Sequence, residues 1–251
     1  MKILILIIYS NNDEKNKEMY EKMLKIQRSY INNFDGVSSY FIQMSEDQDE
    51  QIAMKDDFIF VKGEETLLNI MHKTIESMDY LFNTLGGDYN YILRTNISTI
   101  VNIPKLIEYC QKLPEKNIYT GGYILNLNWF DFKSGIIDTS LFGTEYVSGT
   151  NIILSKDVVI HIINNKMNIR YDVIDDLSFG IYIKKYIQIA IENLQKYKIE
   201  KYVFIDKIII DDKFIEKDTI IFRNRYQCVN PLYDRNTDIY NMQRIKKIIY
   251  C

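Results

Sequence analysis

Residues 89–102 read Tyr-Asn-Tyr-Ile-Leu-Arg-Thr-Asn-Ile-Ser-Thr-Ile-Val-Asn, and the architecture of the chain is most readily inferred from them. Residues 91–93 form a short apolar run, which is typical of a strand buried on both faces of a sheet. The polar residues that follow this run are Arg94, Thr95, Asn96 and Ser98. Ligands of open α/β sheets bind at the carboxyl ends of the strands, so we expect these side chains to line a binding site.

Apolar runs alternate with helical patterns along the rest of the chain. We predict strands at 3–9, 39–44, 58–61, 146–154 and 202–210, and helices that end near residues 30, 83, 112, 163 and 190. The strand at 146–154 is expected to be broken at Ser148-Gly149. In the second helix, Glu64 and Glu65 suit the positive end of the helix dipole. The alternation predicts an α/β fold with a largely parallel central sheet flanked by helices. No repeat or linker interrupts it, so we expect a single domain over residues 1–251.

Composition excludes several classes of protein. The chain has 251 residues and a net charge of −3, so it offers no global basic field for nucleic acid or a membrane surface. Its three cysteines are widely spaced, which argues against a disulfide framework or a zinc site. No apolar run reaches about 18 residues, and residues 2–9 lack a signal-peptide cleavage site, so we expect no membrane span and a cytoplasmic protein.

Four blocks of sequence carry a resemblance to a known superfamily. They are Glu-Thr-Leu-Leu-Asn-Ile-Met-His-Lys-Thr at 65–74, the segment 94–102, Tyr-Val-Ser-Gly-Thr-Asn-Ile-Ile-Leu-Ser at 146–155, and Ile-Asp-Asp-Leu-Ser-Phe-Gly at 174–180. In order and spacing they are similar to motifs of the β1,3-galactosyltransferase and Fringe-like glycosyltransferases. The resemblance implies a GT-A-like fold, a nucleotide-sugar donor and inverting transfer to a hydroxyl of a glycan or protein-linked acceptor.

The resemblance also implies roles for Asp175 and Asp176. In the superfamily this motif supplies the general base that takes the proton from the acceptor hydroxyl. We assign that role to Asp176, with Asp175 in support. Aspartate is also common at the start of a helix, where it accepts hydrogen bonds from free amides, so capping alone is the competing interpretation for Asp175.

Acceptor contacts are expected from three residues. Ser148 and Gly149 match the third block, and glycine allows a close approach of the backbone to a sugar. A β-bulge explains the same glycine equally well. Trp129, the only tryptophan, can stack on a sugar face, although a lone tryptophan is more often a core or interface residue.

The superfamily's metal-binding aspartates are replaced here by Asn96-Ile97-Ser98. Neutral oxygens bind a divalent ion poorly without a carboxylate, so we predict weak or absent dependence on manganese or magnesium. Protein cations must then neutralise the leaving diphosphate. The candidates are Arg223, Arg225 and Arg235 in a basic segment, 222–251, that closes over the site, together with Arg94 and Lys73. The alternative for the segment is a solvated basic face paired with Asp234 and Asp238.

The loop that follows the first strand, residues 10–13, is expected to line the base or ribose side of the donor pocket, with Ser10 as a contact. Two other functions stay open. One is a glycosyltransferase-like protein that binds without turnover, and the other is a structural or interaction protein with an aromatic-rich surface. A nucleic-acid module is disfavoured by the absence of a basic stripe. A Rossmann dehydrogenase is disfavoured because no Gly-x-Gly-x-x-Gly follows the first strand.

Overall fold

The computed structural model describes residues 1–10, 17–192, 198–203, 212–224 and 235–251. The strands in this part of the chain are β1 Ile3–Ile8, β2 Val37–Ser45, β3 Ile52–Lys55, β4 Phe58–Lys62, β5 Tyr91–Asn96, β6 Thr99–Val101, β7 Tyr119–Gly121, β8 Ile124–Asn126, β9 Glu145–Val147, β10 Asn151–Ser155, β11 Glu200–Val203 and β12 Ile221–Asn224. The α-helices are α1 Lys17–Arg28, α2 Asn69–Asp79, α3 Ile103–Cys110, α4 Lys156–Asn164, α5 Asp175–Tyr182 and α6 Asn236–Tyr250. No helix among these residues is both long and apolar enough to cross a bilayer.

Seven of the described strands form the central sheet, in the order β3-β4-β2-β1-β5-β10-β7. The pairs β4-β2, β2-β1 and β1-β5 are parallel, whereas β3 and β10 run against their neighbours. The predicted α/β architecture with a mostly parallel sheet is therefore confirmed. Parallel strands end at one edge, so the carboxyl ends of β1, β2 and β5 lie side by side.

Alternation along β1 explains why both faces of the sheet are covered. Ile3, Ile5 and Ile7 point into a core with α1, α3 and α6, while Leu4 and Leu6 point into a second core with α2, α4 and α5. Side chains of a strand alternate between its faces, so an unbroken apolar run demands a helical layer on each side. The sequence of β1 thereby fixes the three-layer arrangement.

The break predicted at Ser148-Gly149 in the strand 146–154 is confirmed, because β9 ends at Val147 and β10 begins at Asn151. The two strands belong to different sheets. Other predicted boundaries were wrong. The helix predicted to reach residue 190 ends at Tyr182 and continues as a π-turn, Ile183–Ile187, before Gln188 adopts a left-handed backbone conformation with φ 61°. Positive φ is uncommon for residues other than glycine, and it stops the helix there. Residues 204–210 of the predicted late strand lie outside the described residues.

The second helix also begins later than predicted. Helix α2 starts at Asn69, so Glu64 and Glu65 do not lie in its first turn. Glu65 instead forms an ion pair with Lys73, with its Oε1 2.5 Å from Nζ. The ion pair with Lys73 therefore determines the position of Glu65, and the helix dipole does not.

A small second sheet, ordered β11-β12-β6, adjoins the carboxyl end of β5. The amide of Asn224 in β12 donates to the carbonyl of Ser98 at 3.0 Å, which joins this sheet to the turn between β5 and β6. Helix α6 packs its buried residues Ile239, Met242 and Ile245 into the core on the α1 side. The described parts of segment 222–251 are thus built into the domain.

Candidate active site

An ion pair between β5 and α5 forms the centre of the candidate site. Nη2 of Arg94 lies 2.6 Å from Oδ2 of Asp175, and the two side chains are only 3% and 2% exposed. Their orientation departs from hydrogen-bond geometry, since neither Arg94 Nε nor this Asp175 oxygen has a hydrogen-bond partner. The attraction between two charges taken out of water holds the first turn of α5 against the carboxyl end of β5.

Asp175 does not cap its helix. Ile174 occupies the N-cap position of α5, and no side-chain capping bond is formed there. Asp175 is instead the first helical residue, and its charge is balanced by Arg94. Capping alone therefore does not explain this aspartate.

Asp176 is held by two backbone amides. Its Oδ2 accepts a hydrogen bond from the amide of Gly149 at 2.8 Å, and its Oδ1 accepts one from the amide of Leu177 at 2.8 Å. The first bond ties α5 to the loop between β9 and β10. The residue as a whole is partly exposed, whereas its carboxyl group is largely desolvated.

Burial and, to a smaller extent, the negative charge of Asp175 raise the pKa of the Asp176 carboxyl to about 6. The Gly149 amide and the Arg94 guanidinium oppose the shift. A carboxylate whose pKa lies near neutrality is a stronger base than an ordinary aspartate and is still ionised at pH 7. Such pairs of neighbouring titratable groups cluster at functional sites.

The carbonyl of Gly149 is the second junction of the site. It accepts hydrogen bonds from Nη1 of Arg94 and from Nδ2 of Asn96, the latter at 2.8 Å. Beside it, Thr95 donates to the carbonyl of Thr150 at 2.9 Å. The end of β5 and the Ser148-Gly149 turn, predicted to share one site, thus lie in direct contact.

The structure leaves little room for a side chain at Gly149. A Cβ built on it would lie 3.1 Å from Oδ2 of Asp176 and 3.4 Å from Nη1 of Arg94. The distance to Asp176 is shorter than nine in ten real Cβ contacts, whereas the distance to Arg94 is at the edge of ordinary van der Waals contact. Glycine is needed here for the approach of α5 and not for a special φ, since its φ is not positive.

Lys73 is buried completely, behind the carboxyl ends of β1 and β2. Its Nζ donates to the carbonyl of Tyr9 at 2.8 Å and pairs with Glu65, which in turn accepts a bond from the amide of Met44 at 2.8 Å. Desolvation lowers the pKa of Lys73, and Glu65 opposes the shift. The arrangement holds two strand ends and α2 together.

Lys73 and Arg94, both predicted as donor contacts, are buried and paired in the structure, and their role toward a donor stays a prediction. Lys73 is fully buried and neutralised by Glu65, and Arg94 is 2% exposed and neutralised by Asp175. Thr95 and Ser98 are likewise buried. These four residues lie beneath the surface of the site and support it. Asn96, Gly149 and Asp176 are partly exposed at that surface.

The C-terminal arginines take different places. Arg235 lies 3.2 Å from Asp238, donates to the hydroxyl of Tyr20 at 2.8 Å and lies over the Tyr20 ring. Tyr20 makes an edge contact with Tyr9, which follows β1, so Arg235 lies beside the carboxyl end of β1. Arg223 in β12 pairs in register with Thr99, just beyond the turn after β5. Arg225 and Asp234 lie outside the described residues.

The remaining residues predicted to contact donor or acceptor are Ser10, Ser148 and Trp129. Ser10 follows β1 and is partly buried, and residues 11–13 lie outside the described residues. Ser148 is buried and its amide donates to the carbonyl of Tyr123 at 2.8 Å. Trp129 is 39% exposed and follows β8, within the excursion that links β7 to β9.

The residues around Asn96 do not fit a divalent cation. The Asn96 amide donates to Gly149, and the nearby carboxylate of Asp175 is already neutralised by Arg94. Within the described ranges, no three His, Cys, Asp or Glu side chains are grouped to hold a metal ion. The metal dependence of the protein stays a prediction.

The sequence motifs did not reveal the pairing of Glu65 with Lys73 or the acceptor role of the Gly149 carbonyl. Glu65 and Lys73 are eight residues apart and lie partly outside a helix, so no helical spacing signals their contact. A backbone carbonyl carries no side-chain signature at all.

No protein-family model and no curated protein matches this sequence. Two solved structures are similar in fold. One is a glycosyltransferase involved in the glycosylation of the major capsid of PBCV-1, at 12% identity and a TM-score of 0.46 over 97% of this chain and 100% of that one. The other is an inferred nucleotide-diphospho-sugar transferase from Desulfovibrio desulfuricans G20, at 10% identity and a TM-score of 0.46 over 99% of this chain and 97% of that one. Both TM-scores lie below 0.5, so we rest no functional inference on them.

Proposed function

We propose that the protein is a glycosyltransferase that moves a sugar from a nucleotide-sugar donor to an acceptor hydroxyl with inversion at the anomeric carbon. The observation that carries this proposal is the setting of Asp176. Asp176, a partly exposed residue whose carboxyl group has a raised pKa, lies at the carboxyl edge of an α/β sheet and is fixed by the Gly149 amide. The resemblance of four sequence blocks to the galactosyltransferase and Fringe-like superfamily agrees with this position.

In the proposed reaction Asp176 takes the proton of the acceptor hydroxyl. The acceptor oxygen then forms a bond to the anomeric carbon while the bond from that carbon to the diphosphate breaks, and the nucleoside diphosphate leaves with the electron pair. General bases of this kind accelerate reactions about a hundred- to ten-thousand-fold. Asp175 is paired with Arg94, and its negative charge raises the pKa of Asp176 and so the basicity of that carboxylate.

The chain's own residues position this base. Arg94 contacts both Asp175 and the carbonyl of Gly149, so one side chain sets the distance between α5 and the β9–β10 loop. Asn96 adds a second bond to the same carbonyl. Preorganised contacts of this kind avoid a reorganisation cost during the reaction.

A second candidate function is binding of a nucleotide or glycan without turnover. It is favoured by the neutralisation of Lys73 and Arg94, because both cations nearest the site are already paired. A diphosphate bound there needs a cation from elsewhere, such as Arg223 or Arg235. The two candidates make the same prediction for binding and different ones for catalysis.

The experiment that tests the proposal begins with a thermal-shift screen of UDP, GDP, CDP and ADP, with and without manganese. Ligand binding to the native state raises apparent stability. Nucleotide-sugars of the nucleotide that binds are then tested for hydrolysis and transfer by the wild type, Asp176→Asn and Asp172→Asn. Asp172 is an exposed aspartate four residues away that pairs with Arg170, and it serves as the matched control.

We expect Asp176→Asn to lose activity by at least a hundredfold while its affinity for the nucleoside diphosphate stays within about twofold, and Asp172→Asn to behave as wild type. Nucleotide binding without turnover in the wild type would favour the binding protein. If none of the four nucleotides stabilises the protein, the proposed role of this site is overturned. Full activity in Asp176→Asn would overturn it as well.

A further inference from the structure

Exposed apolar side chains are concentrated in one part of the surface. Between residues 123 and 137, six large apolar residues are at least 39% exposed, and they are Tyr123, Ile124, Trp129, Phe130, Phe132 and Ile137. Nearly half of the exposed large apolar side chains of the described chain therefore lie within 15 residues. Scattered surface hydrophobic residues need no explanation, whereas a contiguous apolar patch marks an interaction site.

The members of this patch lie together. The rings of Phe130 and Phe132 are 6.5 Å apart and nearly parallel at 13°, and Phe130 lies 5.1 Å from the ring of Phe142. A β-bridge pairs Asp131 with Ile136, which brings Phe130 alongside Ile137. We call the surface formed by Trp129, Phe130, Phe132 and Ile137 the aromatic patch.

The aromatic patch rests on a small core of its own. Buried beneath it are Leu127, Ile136, Leu141, Tyr146, Val173 and Leu177. Leu177 follows Asp176 directly, and the amide of Ile174 donates to the carbonyl of Ser134 at 2.9 Å. The loop that carries the patch is thus bound to the segment that carries the candidate base.

We propose that the aromatic patch docks a polypeptide acceptor, whose reactive hydroxyl then reaches Asp176. This inference rests on the proposed function and specifies its acceptor. A sugar offers an aromatic ring one C–H face and otherwise hydroxyl groups, which require polar partners. Phe130, Phe132 and Ile137 have no polar handle, so aliphatic or aromatic side chains of a polypeptide match them better.

The charge around the aromatic patch indicates which charged residues flank the apolar residues of that polypeptide. Around residues 129–146, four carboxylates outnumber three basic side chains: Asp131, Asp138, Glu145 and Asp172 against Lys133, Arg170 and Lys184. Asp138 is fully exposed, and its bonds to Ser140 lower the pKa of its carboxyl, so it is ionised at neutral pH. Excess negative charge favours lysine or arginine beside the apolar residues of the partner and disfavours an anionic membrane.

The test uses a library of dodecapeptides with a fixed central serine or threonine and random flanks. The full chain is compared with the double variant Phe130→Ser/Phe132→Ser. The matched control is Met167→Ser/Tyr240→Ser, which removes two other exposed apolar side chains, 92% and 46% exposed, outside the patch. Peptides enriched on the wild type are resynthesised, and their affinities for all three proteins are measured by fluorescence anisotropy.

We expect the wild type and the control to enrich peptides with apolar residues beside lysine or arginine, and the patch variant to bind them at least tenfold more weakly. The absence of enrichment, or equal binding by the patch variant, would overturn the inference. Co-sedimentation with phosphatidylcholine or phosphatidylserine vesicles that is lost in the patch variant would show a membrane anchor and overturn it too. The nucleotide thermal shift of each variant separates these results from the proposed function, because the patch variant should retain that shift.

Discussion

Arg94 and Asp175 form an ion pair across the junction of β5 and α5, 2.6 Å apart and almost completely buried. Replacing Arg94 by methionine leaves Asp175 as an uncompensated charge in the interior. We expect Arg94→Met to lower the free energy of unfolding by about 3–5 kcal/mol. Urea unfolding measures this loss, and the exposed pair of Arg170 with Asp172 supplies the control.

Arg170→Met should change the same free energy by no more than about 1 kcal/mol, because both partners of that pair are largely exposed. Equal effects of the two substitutions would show that burial adds nothing to the Arg94 pair. The ion pair would then not be the element that fixes α5.

The pair formed by Lys73 and Glu65 predicts a measurable coupling. Lys73→Met strands a buried carboxylate and should cost about 3–5 kcal/mol. Adding Glu65→Gln removes that charge and keeps an acceptor for the Met44 amide, so the double variant should be more stable than Lys73→Met alone. A double variant that is less stable than Lys73→Met, measured by urea unfolding, would exclude charge compensation as the function of the pair.

The sequence was sufficient for the parts of the fold that rest on apolar patterning. The run in β1 alternates between two cores, and the run at Tyr91 to Leu93 is a strand paired on both sides, as a doubly buried strand requires. Strand direction was harder, because the antiparallel course of β10 depends on its tertiary neighbours. The pattern of β10 itself, Asn-Ile-Ile-Leu-Ser, is that of any buried strand.

The candidate site was predictable only in part. The sequence blocks indicated that the end of β5, the Ser148-Gly149 turn and Asp175-Asp176 belong to one site, and these elements are in contact in the structure. Which of these charged side chains are buried in ion pairs was not predictable from the sequence. Which cation is buried and which is free depends on pairs such as Lys73 with Glu65, and such pairs form between elements with no fixed spacing in sequence.

The raised pKa of Asp176 predicts a pH-dependent stability. An aspartate in an unfolded chain has a pKa of about 3.9, whereas the native value is about 6. The native state therefore binds more protons between these values, and the free energy of unfolding falls as pH rises through this window. Asp176→Asn should be more stable than wild type by about 1–3 kcal/mol above pH 6, and this gain should vanish near pH 4.

Chemical unfolding at pH 4, 5, 6 and 7 measures this difference. Asp172→Asn is a control of opposite sign, since its bond to Arg170 lowers the pKa of Asp172. That variant should show no gain in stability at any pH. A constant offset between Asp176→Asn and wild type from pH 4 to pH 7 would contradict the raised pKa.

Gly149 predicts a steric effect at the same carboxylate. A methyl group at this position would lie 3.1 Å from Oδ2 of Asp176, so the Asp176 side chain must shift by a few tenths of an ångström. We expect Gly149→Ala to fold but to lower the transfer rate at least tenfold, because the base is displaced from the acceptor. Gly143→Ala, where an added Cβ meets nothing within 4 Å, tests whether any glycine loss has this effect, although its φ of 80° adds backbone strain.

The last prediction is that Arg235 supplies positive charge to the diphosphate. Removing the chain from Phe222 onward would not isolate it, because Phe222, Met242 and Ile245 belong to the core and their loss would unfold the domain. Point substitution of Arg235 is the sharper test, since Arg235 lies beside the carboxyl end of β1. A charge-assisted contact contributes about 1.5–3 kcal/mol, so Arg235→Gln should weaken binding of a nucleoside diphosphate about 10- to 100-fold.

Calorimetric titration of the nucleotide measures this loss, with Arg244→Gln as the control. Arg244 pairs with Asp212 on a different surface and should leave the affinity unchanged. Raised salt should weaken binding to the wild type, and EDTA or manganese should have little effect. If EDTA abolishes binding and manganese restores it, a carboxylate holds a metal at this site, with Asp175 and Asp176 the first candidates. Arg235 would then serve only to neutralise Asp238, the buried carboxylate beside it.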